Sequence, residues 1–274
     1  MKRASLLLLL PLLAGCGQKA DSPWLGYVEG EAAFIAAPQA GWLARVAVNR
    51  GDLVKTGDLL FTLDDTNQTA ARDQAQASIV LAQSQRVAAV ANLALTQKEL
   101  VRQAHLLAAD AGTKQSYDVA KAAYDSAVAQ VAQIDAQIAQ ARAGLSGAAY
   151  QLSERDVVSR TTGRVEDVYF RTGEYAAAMT PVVSVLPPQN IYVRFFVPET
   201  QFAHVKLGQR VAIACDGCAP NIVATVTFIA AQEEFTPPVI FSQENREKLV
   251  FKIEARAPGG LKLNPGQPVE VRPL

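Results

Sequence analysis

Gly41-Trp42-Leu43-Ala44-Arg45-Val46-Ala47-Val48-Asn49-Arg50-Gly51-Asp52 and Gly163-Arg164-Val165-Glu166-Asp167-Val168-Tyr169-Phe170-Arg171-Thr172-Gly173-Glu174 align without a gap. Both glycines recur at an offset of 122 residues, Gly41 at Gly163 and Gly51 at Gly173. The match runs on, because Leu60, Phe61 and Leu63 fall opposite Val182, Val183 and Val185. Each copy reads as a strand, a glycine turn and a second strand, with apolar residues alternating in the first strand and denser in the second. One such unit leaves its apolar face bare. Two can close on each other as a small β-sandwich, so copies far apart in sequence are expected to meet in space.

A helical insertion separates the copies. No proline occurs between Pro38 and Pro181 and no glycine between Gly57 and Gly112, while Ala, Gln, Leu and Lys dominate, so propensity favours long uninterrupted helix. Two helices fit, broken at Asp110-Ala111-Gly112. In the second, Tyr117, Ala120, Tyr124, Ala127, Val131, Ile134, Ile138, Ala141, Leu145 and Ala148 recur at alternating spacings of three and four, a heptad seam long enough to specify a coiled coil. In the first, Val80, Val87, Ala94 and Val101 form one heptad row, with Leu93, Leu100 and Leu107 beside it. The pair is expected to fold back as an antiparallel coiled-coil hairpin, each arm about 60 Å long at ~1.5 Å per residue.

From about Asn190 the composition turns to β. Phe251, Ile253 and Ala255 alternate with Lys252, Glu254 and Arg256, and Val269 and Val271 with Glu270 and Arg272, as half-buried strands do. With Ile191 to Val197, Val211 to Ala214 and Val223 to Ile229, they predict a small antiparallel barrel, to which Gly26 to Ala33 could add a strand. Pro265-Gly266 reads as the turn before the last strand. The fold class is therefore α+β, in an elongated multidomain chain. Half of the 274 residues are apolar, enough for packed cores, and 26 basic residues balance 26 acidic ones. That balance supplies no long-range field to draw in nucleic acid, so no nucleic-acid partner is expected.

The N-terminus carries Lys2 and Arg3 and then an apolar run from Leu6 to Leu13, too short for a spanning helix, so it reads as a signal peptide. It ends in Leu13-Ala14-Gly15-Cys16, which resembles the lipobox of bacterial lipoproteins. The resemblance implies a diacylglycerol on Cys16, a mature protein beginning there, and attachment to a membrane through acyl chains. The other reading is an ordinary secretory signal with an incidental cysteine. Two further cysteines lie in Cys215-Asp216-Gly217-Cys218. Export makes a local disulfide feasible, and a pair of free thiols is the alternative. A metal would need more ligands than His204 can complete, and a thioredoxin-like role would want the pair opening a helix, whereas Val211, Ile213 and Val223 read as strand.

Catalysis finds no constellation here. The histidines are His105, near the hairpin tip, and His204, in a polar segment. There is no phosphate loop, zinc-protease helix or nucleophile elbow, and the pairs Glu233-Glu234 and Asp64-Asp65 read as solvated or helix-start charge. No catalytic residue, metal or cofactor is expected, and the chain is read as a non-enzyme.

The split repeat resembles the biotinyl/lipoyl carrier fold, built of two such halves. A carrier presents a modifiable lysine where the halves join. Here that junction, Asp64-Asp65, has no lysine and opens into the helices. In order, the parts read as a signal peptide (1–15), a tail with a first barrel strand (16–33), a lipoyl-like domain (34–64 with 152–188), an α-helical hairpin (65–151) and a β-barrel (189–274). That sequence of parts resembles the HlyD-like periplasmic adaptors, or membrane fusion proteins, over essentially the whole mature chain. The resemblance implies an adaptor held by its lipid in the periplasm, with the inner membrane favoured. Its implied partners are an inner-membrane exporter, a TolC-like outer-membrane channel and further copies of itself in a hexameric ring.

A finer match lies at the tip. Adaptors that meet TolC-like channels carry an Arg, a Leu four residues on, and a Ser or Thr seven beyond, and Arg102, Leu106 and Thr113 have this spacing. Arginine offers fixed donors to an opposing helix end, and leucine an apolar anchor. The plainer reading makes Arg102 a solvated residue, Leu106 seam packing and Thr113 an N-cap. The stretch Thr236-Pro237-Pro238 through Leu249-Val250-Phe251 resembles the barrel segment of adaptors that serve ATP-binding-cassette (ABC) exporters. The chain also stops at Leu274, where adaptors of proton-driven pumps carry a further membrane-proximal domain. An ABC partner is therefore expected. The alternatives are an adaptor for a proton-driven multidrug pump and a coiled-coil envelope regulator of a cell-wall hydrolase.

Overall fold

The computed structural model describes residues 23–235 and 249–274. Cys16 with the expected signal peptide, and most of the ABC-like stretch from Thr236, lie outside the described residues. In chain order the elements are β1 Trp24–Gly30, β2 Ala33–Ala36, β3 Gly41–Val46, β4 Leu53–Val54, β5 Leu59–Leu63, α1 Thr66–Ala108, α2 Lys114–Ser153, β6 Asp156–Val158, β7 Gly163–Val168, β8 Tyr175–Ala176 and β9 Pro181–Leu186. A 3₁₀ turn at Pro188–Asn190 follows, then β10 Ile191–Pro198, α3 Glu199–Phe202, β11 Arg210–Ala214, β12 Ile222–Phe235, β13 Leu249–Arg256 and β14 Pro268–Pro273. They fall into two compact units, Ala32–Pro187 and Met1–Glu31 with Pro188–Leu274.

In the first unit, two four-stranded sheets run β2-β9-β7-β4 and β6-β5-β3-β8. Moving each strand to its counterpart in the other copy converts one order into the other, so the repeat is a pseudo-two-fold and each sheet takes two strands from each copy. The bonds between copies come in matched pairs. Gly51 N donates to Val165 O (2.8 Å) and Gly173 N to Leu43 O (2.7 Å). In the reverse direction, Val165 N donates to Asp52 O and Leu43 N to Glu174 O, both at 2.8 Å. Gly51 and Gly173 take left-handed backbone at φ 93° and 90°, where a glycine costs nothing in sterics. Leu43, Leu60, Phe61 and Leu63 interdigitate with Val165, Val182, Val183 and Val185 in one buried cluster.

The repeat reaches further than its obvious match. β2 and β6 are also equivalent, with Ile35 and Val157 both turned to the sandwich core. Ala33 opens β2 in the sandwich, not the barrel strand to which the sequence reading had joined it. The backbone keeps the symmetry even where the residues differ: Gly57 is left-handed at φ 96°, and its counterpart Met179 holds φ 63° with a full side chain.

Between β5 and β6 the chain leaves the sandwich as α1 and returns as α2. The helices run antiparallel, because Ala82 packs on Ile134 and Ile138 while Arg86 Nε donates to Asp135 Oδ1 at 2.6 Å. On α2, every residue from Tyr117 to Ala148 in the heptad series is buried or half-buried. On α1 the row Val80, Val87, Ala94, Val101 is exposed, a correction to the sequence reading. The covered stripe runs instead through Ile79, Ala82, Ala89, Leu93, Leu100 and Leu107. α1 offers adjacent apolar pairs, Ile79-Val80, Leu93-Ala94 and Leu100-Val101, one residue or ~100° apart. Its own periodicity therefore cannot choose between rows, and the partner helix does.

The second unit is a closed antiparallel barrel in the order β1-β10-β13-β12-β11-β14. Val28, Val193, Phe195, Val197, Ile253, Ala255 and Val271 are buried in it, and Trp24 stacks on Phe195 with ring centroids 5.6 Å apart.

Candidate partner-contact site at the hairpin tip

The tip is a tight connection made by helix ends. Ala109 N donates to His105 O (3.1 Å), Asp110 N to Leu107 O (3.2 Å) and Ala111 N to Leu106 O (2.9 Å), so the last carbonyls of α1 are satisfied locally. Asp110 turns the chain in left-handed backbone at φ 52°, a conformation Asp tolerates better than most residues. Gly112 packs so close that an added Cβ would lie 3.1 Å from Leu106 Cβ. Thr113 is the N-cap of α2, its hydroxyl accepting from Ser116 N at 3.1 Å and sharing a 2.7 Å bond with the Ser116 hydroxyl.

Leu106 and the Gly112-Thr113 segment are thus brought together at the end of the hairpin, with Arg102 one turn below Leu106 on α1. Leu106 is 37% exposed. The Arg102 side chain is more than half exposed and pairs with Glu99. Glu99, which also accepts from Gln103 Nε2 at 2.9 Å, was absent from the sequence-level site; its i,i+3 spacing from Arg102 is the clue that would have found it. An exposed intrahelical pair of this kind is worth little, so Arg102 can exchange Glu99 for an acceptor on another surface. The arrangement offers a cation, an apolar edge and a short polar turn, which suits docking on a helical end.

Cys215 and Cys218 are joined as a disulfide in the β11–β12 connection, their Cα atoms 5.4 Å apart and Gly217 left-handed between them. The barrel also holds a charge network the sequence did not reveal. Arg194 donates to Glu29 Oε1 (2.5 Å) and Glu254 Oε1 (2.9 Å), and the Tyr192 hydroxyl donates to Glu29 Oε2 (2.6 Å). Burial, then the bond to Glu29, pushes the Tyr192 phenol above the usual tyrosine range. Burial lowers the Arg194 pKa, but the bonds to Glu254 and Tyr27 and the charge of Glu29 outweigh it, and the net shift is upward. These residues sit at outward positions of β1, β10 and β13, a placement alternation gives without naming the neighbours. Among the described residues no helix is long and apolar enough to cross a membrane, and no group of three or more His, Cys, Asp or Glu could hold a metal ion.

No protein-family model matches the chain. Among curated proteins it is 28% identical over 231 residues to fatty acid resistance protein FarA of Neisseria gonorrhoeae, covering 72% of this chain and 58% of FarA. It is 30% identical over 132 residues to a UPF0194 membrane protein of Acidithiobacillus ferridurans, covering 47% of this chain and 39% of that protein. Colistin resistance protein EmrA of Acinetobacter baumannii is 28% identical over 253 residues, covering 77% and 70% respectively. The chain thus spans less than two thirds of the length of FarA and of the UPF0194 protein. Among solved structures, MacA from Actinobacillus actinomycetemcomitans superposes with TM-score 0.69 at 20% identity, over 91% of this chain and 76% of MacA. The membrane fusion protein Spr0693 from Streptococcus pneumoniae gives TM-score 0.54 at 20% identity, over 91% and 97%. These likenesses place the fold among membrane fusion proteins. With its interlocked β repeat, inserted helical hairpin and β-barrel, the chain is similar in sequence to FarA and EmrA and shares the fold of the membrane fusion proteins MacA and Spr0693.

Proposed function

We propose that this chain is the adaptor subunit of a tripartite efflux or secretion system, held in the periplasm by a lipid on Cys16 and performing no catalytic step itself. One observation carries the reading. Two helices of 43 and 40 residues leave a small β-sandwich as a single arm, about 60 Å long at ~1.5 Å per residue, and end in a compact tip. Such an arm suits a reach between partners, not the housing of a substrate. Arg102 and Leu106 at the tip, with the turn capped by Thr113, would meet a TolC-like outer-membrane channel. The barrel would rest on an inner-membrane exporter of the ABC type, the branch favoured by the resemblance of residues 236–251.

Self-association has support in the hairpin. Val80, Val87, Ala94 and Val101 form an exposed apolar row, at the heptad spacing that a neighbouring helix of a second copy would fill. A ring of copies, hexameric by family analogy, would then bundle the arms into a conduit. The resistances named for FarA and EmrA agree with an export role.

The test is export together with crosslinking in intact cells. Arg102→Asp and Leu106→Asp should each abolish export while acylation and secretion of the adaptor continue. A photo-crosslinker at the tip should capture the channel, and one on the barrel an ABC exporter. Wild-type export by both variants would remove the tip assignment, and capture of a proton-driven pump would remove the ABC branch.

A further inference from the structure

The outer wall of the barrel carries a cavity of about 710 Å³, of the size that ordinary small-molecule sites have. Its lining is apolar and aromatic in part: Leu25 and Tyr27 from β1 and Phe196 from β10, with the Tyr27 and Phe196 rings 6.1 Å apart and tilted by 37°. Ala214, Cys215 and Pro268 also line it. Two carboxylates, Asp216 and Glu270, stand on the lining, and no Lys or Arg is among the described residues that line it.

The walls are fixed in advance. The Cys215–Cys218 disulfide and the bond from Cys218 N to Cys215 O (3.2 Å) shape the loop that holds Asp216. Gln267 Nε2 lies 3.4 Å from Cys218 Sγ and ties that loop to the segment before β14. That segment is pinned to β1 by Val28 N donating to Gln267 O (2.9 Å) and Gly266 N to Val28 O (2.8 Å). Arg194 is held by Glu29 and Glu254 and bonds Tyr27, Lys252 stands opposite Phe196 on β13 but outside the lining, and Arg272 makes a long 3.4 Å contact with Glu270, an exposed pair that a better-placed cation can displace.

We propose that this cavity binds amphipathic organic cations. Ring faces attract a cation through their quadrupole, apolar walls take up its hydrocarbon body, and two carboxylates with no lining cation repel an anion of the same shape. The chain then offers a small-molecule site of its own, formed by the barrel unit alone. This inference goes beyond the adaptor reading and does not depend on it.

A pair of nearly isosteric ions separates charge recognition from apolar partition. The full chain with Cys16→Ser keeps acyl chains and detergent from absorbing the probes, and binding of tetraphenylphosphonium and tetraphenylborate is measured by calorimetry and equilibrium dialysis. Saturable one-to-one binding of the phosphonium is expected, at least tenfold tighter than the borate. The double variant Asp216→Asn, Glu270→Gln should weaken the phosphonium about tenfold without weakening the borate, and Phe196→Ala should weaken both. Amide replacements at exposed carboxylates leave the barrel folded, so the comparison stays readable. No saturable phosphonium binding, equal affinity for the two ions, or undiminished affinity in the double variant would overturn the proposal.

Discussion

Gly41 and Gly163 occupy equivalent places in the repeat, yet the same substitution should have unequal effects. A Cβ on Gly163 would lie 2.3 Å from Leu186 O, 2.7 Å from Leu186 C and 2.9 Å from Pro187 N, all backbone atoms at the end of β9. An ordinary C···O approach is about 3.3 Å, so β7 or β9 must shift by about 1 Å where they pair. A Cβ on Gly41 would meet only Arg155 Nη1, at 2.6 Å, with Leu63 Cβ next at 3.8 Å. That guanidinium can swing aside, giving up its 3.1 Å bond to Ala40 O. Overpacking against backbone plus a disturbed ladder bond puts Gly163→Ala at about 3 kcal/mol, against about 1 kcal/mol for Gly41→Ala. The loss of unfolded-chain entropy is common to both substitutions and cancels in the comparison. Trp24 lies in the barrel unit and Trp42 in the sandwich unit, so a Trp24→Phe background makes fluorescence report the sandwich alone. With a urea slope of about 2 kcal/mol/M, the midpoint should fall by about 1.5 M for Gly163→Ala and about 0.5 M for Gly41→Ala. Equal midpoints for the two variants would refute the reasoning.

Other perturbations test other parts of the fold. Met179→Gly should stabilise the sandwich by about 0.5–1 kcal/mol, because it relieves a left-handed non-glycine residue, and Gly57→Ala at the equivalent turn should cost about 1 kcal/mol; the same urea titration measures both. Arg194→Met leaves Glu29 and Glu254 half-buried without their shared cation, so the barrel, read by Trp24 in a Trp42→Phe background, should lose about 2–3 kcal/mol, and an unchanged midpoint would remove the network from its stability. Because the folded-state pKa of Tyr192 is raised, its contribution is complete below the ordinary tyrosine value of about 10 and is lost as pH climbs toward the folded value. Thermal melts between pH 8 and 11 should show that decline in the wild type and a shallower one in Tyr192→Phe.

What the sequence could show depended on whether a residue's environment was local. The α2 stripe was legible because its large apolar residues, Tyr117, Tyr124, Val131, Ile134, Ile138 and Leu145, stand alone, each flanked by polar or small neighbours. α1 carries doublets such as Ile79-Val80 and Leu100-Val101, and only contact with Ala82's partners Ile134 and Ile138 decides which member faces inward. In the sandwich, alternation told which side of a strand is apolar and not which strand lies next to it. That is why the repeat was visible while the exchange of strands between copies was not. β2 and β6 share no identical residue in register, Phe34 standing opposite Asp156 and Ala36 opposite Val158, so only the inward Ile35 and Val157 mark the equivalence. The tip residues were readable by spacing, but the Glu99 pair and the covering of Leu106 by Gly112 come from the turn itself.

The interlocking of the copies also explains how a long insertion is tolerated where it stands. β5 and β9 are equivalent strands, each second in its sheet and each lined by the buried core, and the chain departs after both: after β5 into α1, after β9 toward β10. Each departure therefore begins from a strand held on both edges, β5 by β6 and β3, and β9 by β2 and β7. Arg155, buried just past the end of α2, completes the hairpin's root: its carbonyl accepts from Leu63 N at 2.9 Å, and its guanidinium reaches Ala40 O. A load carried by α1 enters an inner strand, β5, where the ladder bonds on either side share it. A load carried by α2 enters β6, the edge strand of the same sheet, which its pairing to β5 and the bond from Leu63 N to Arg155 O hold in place.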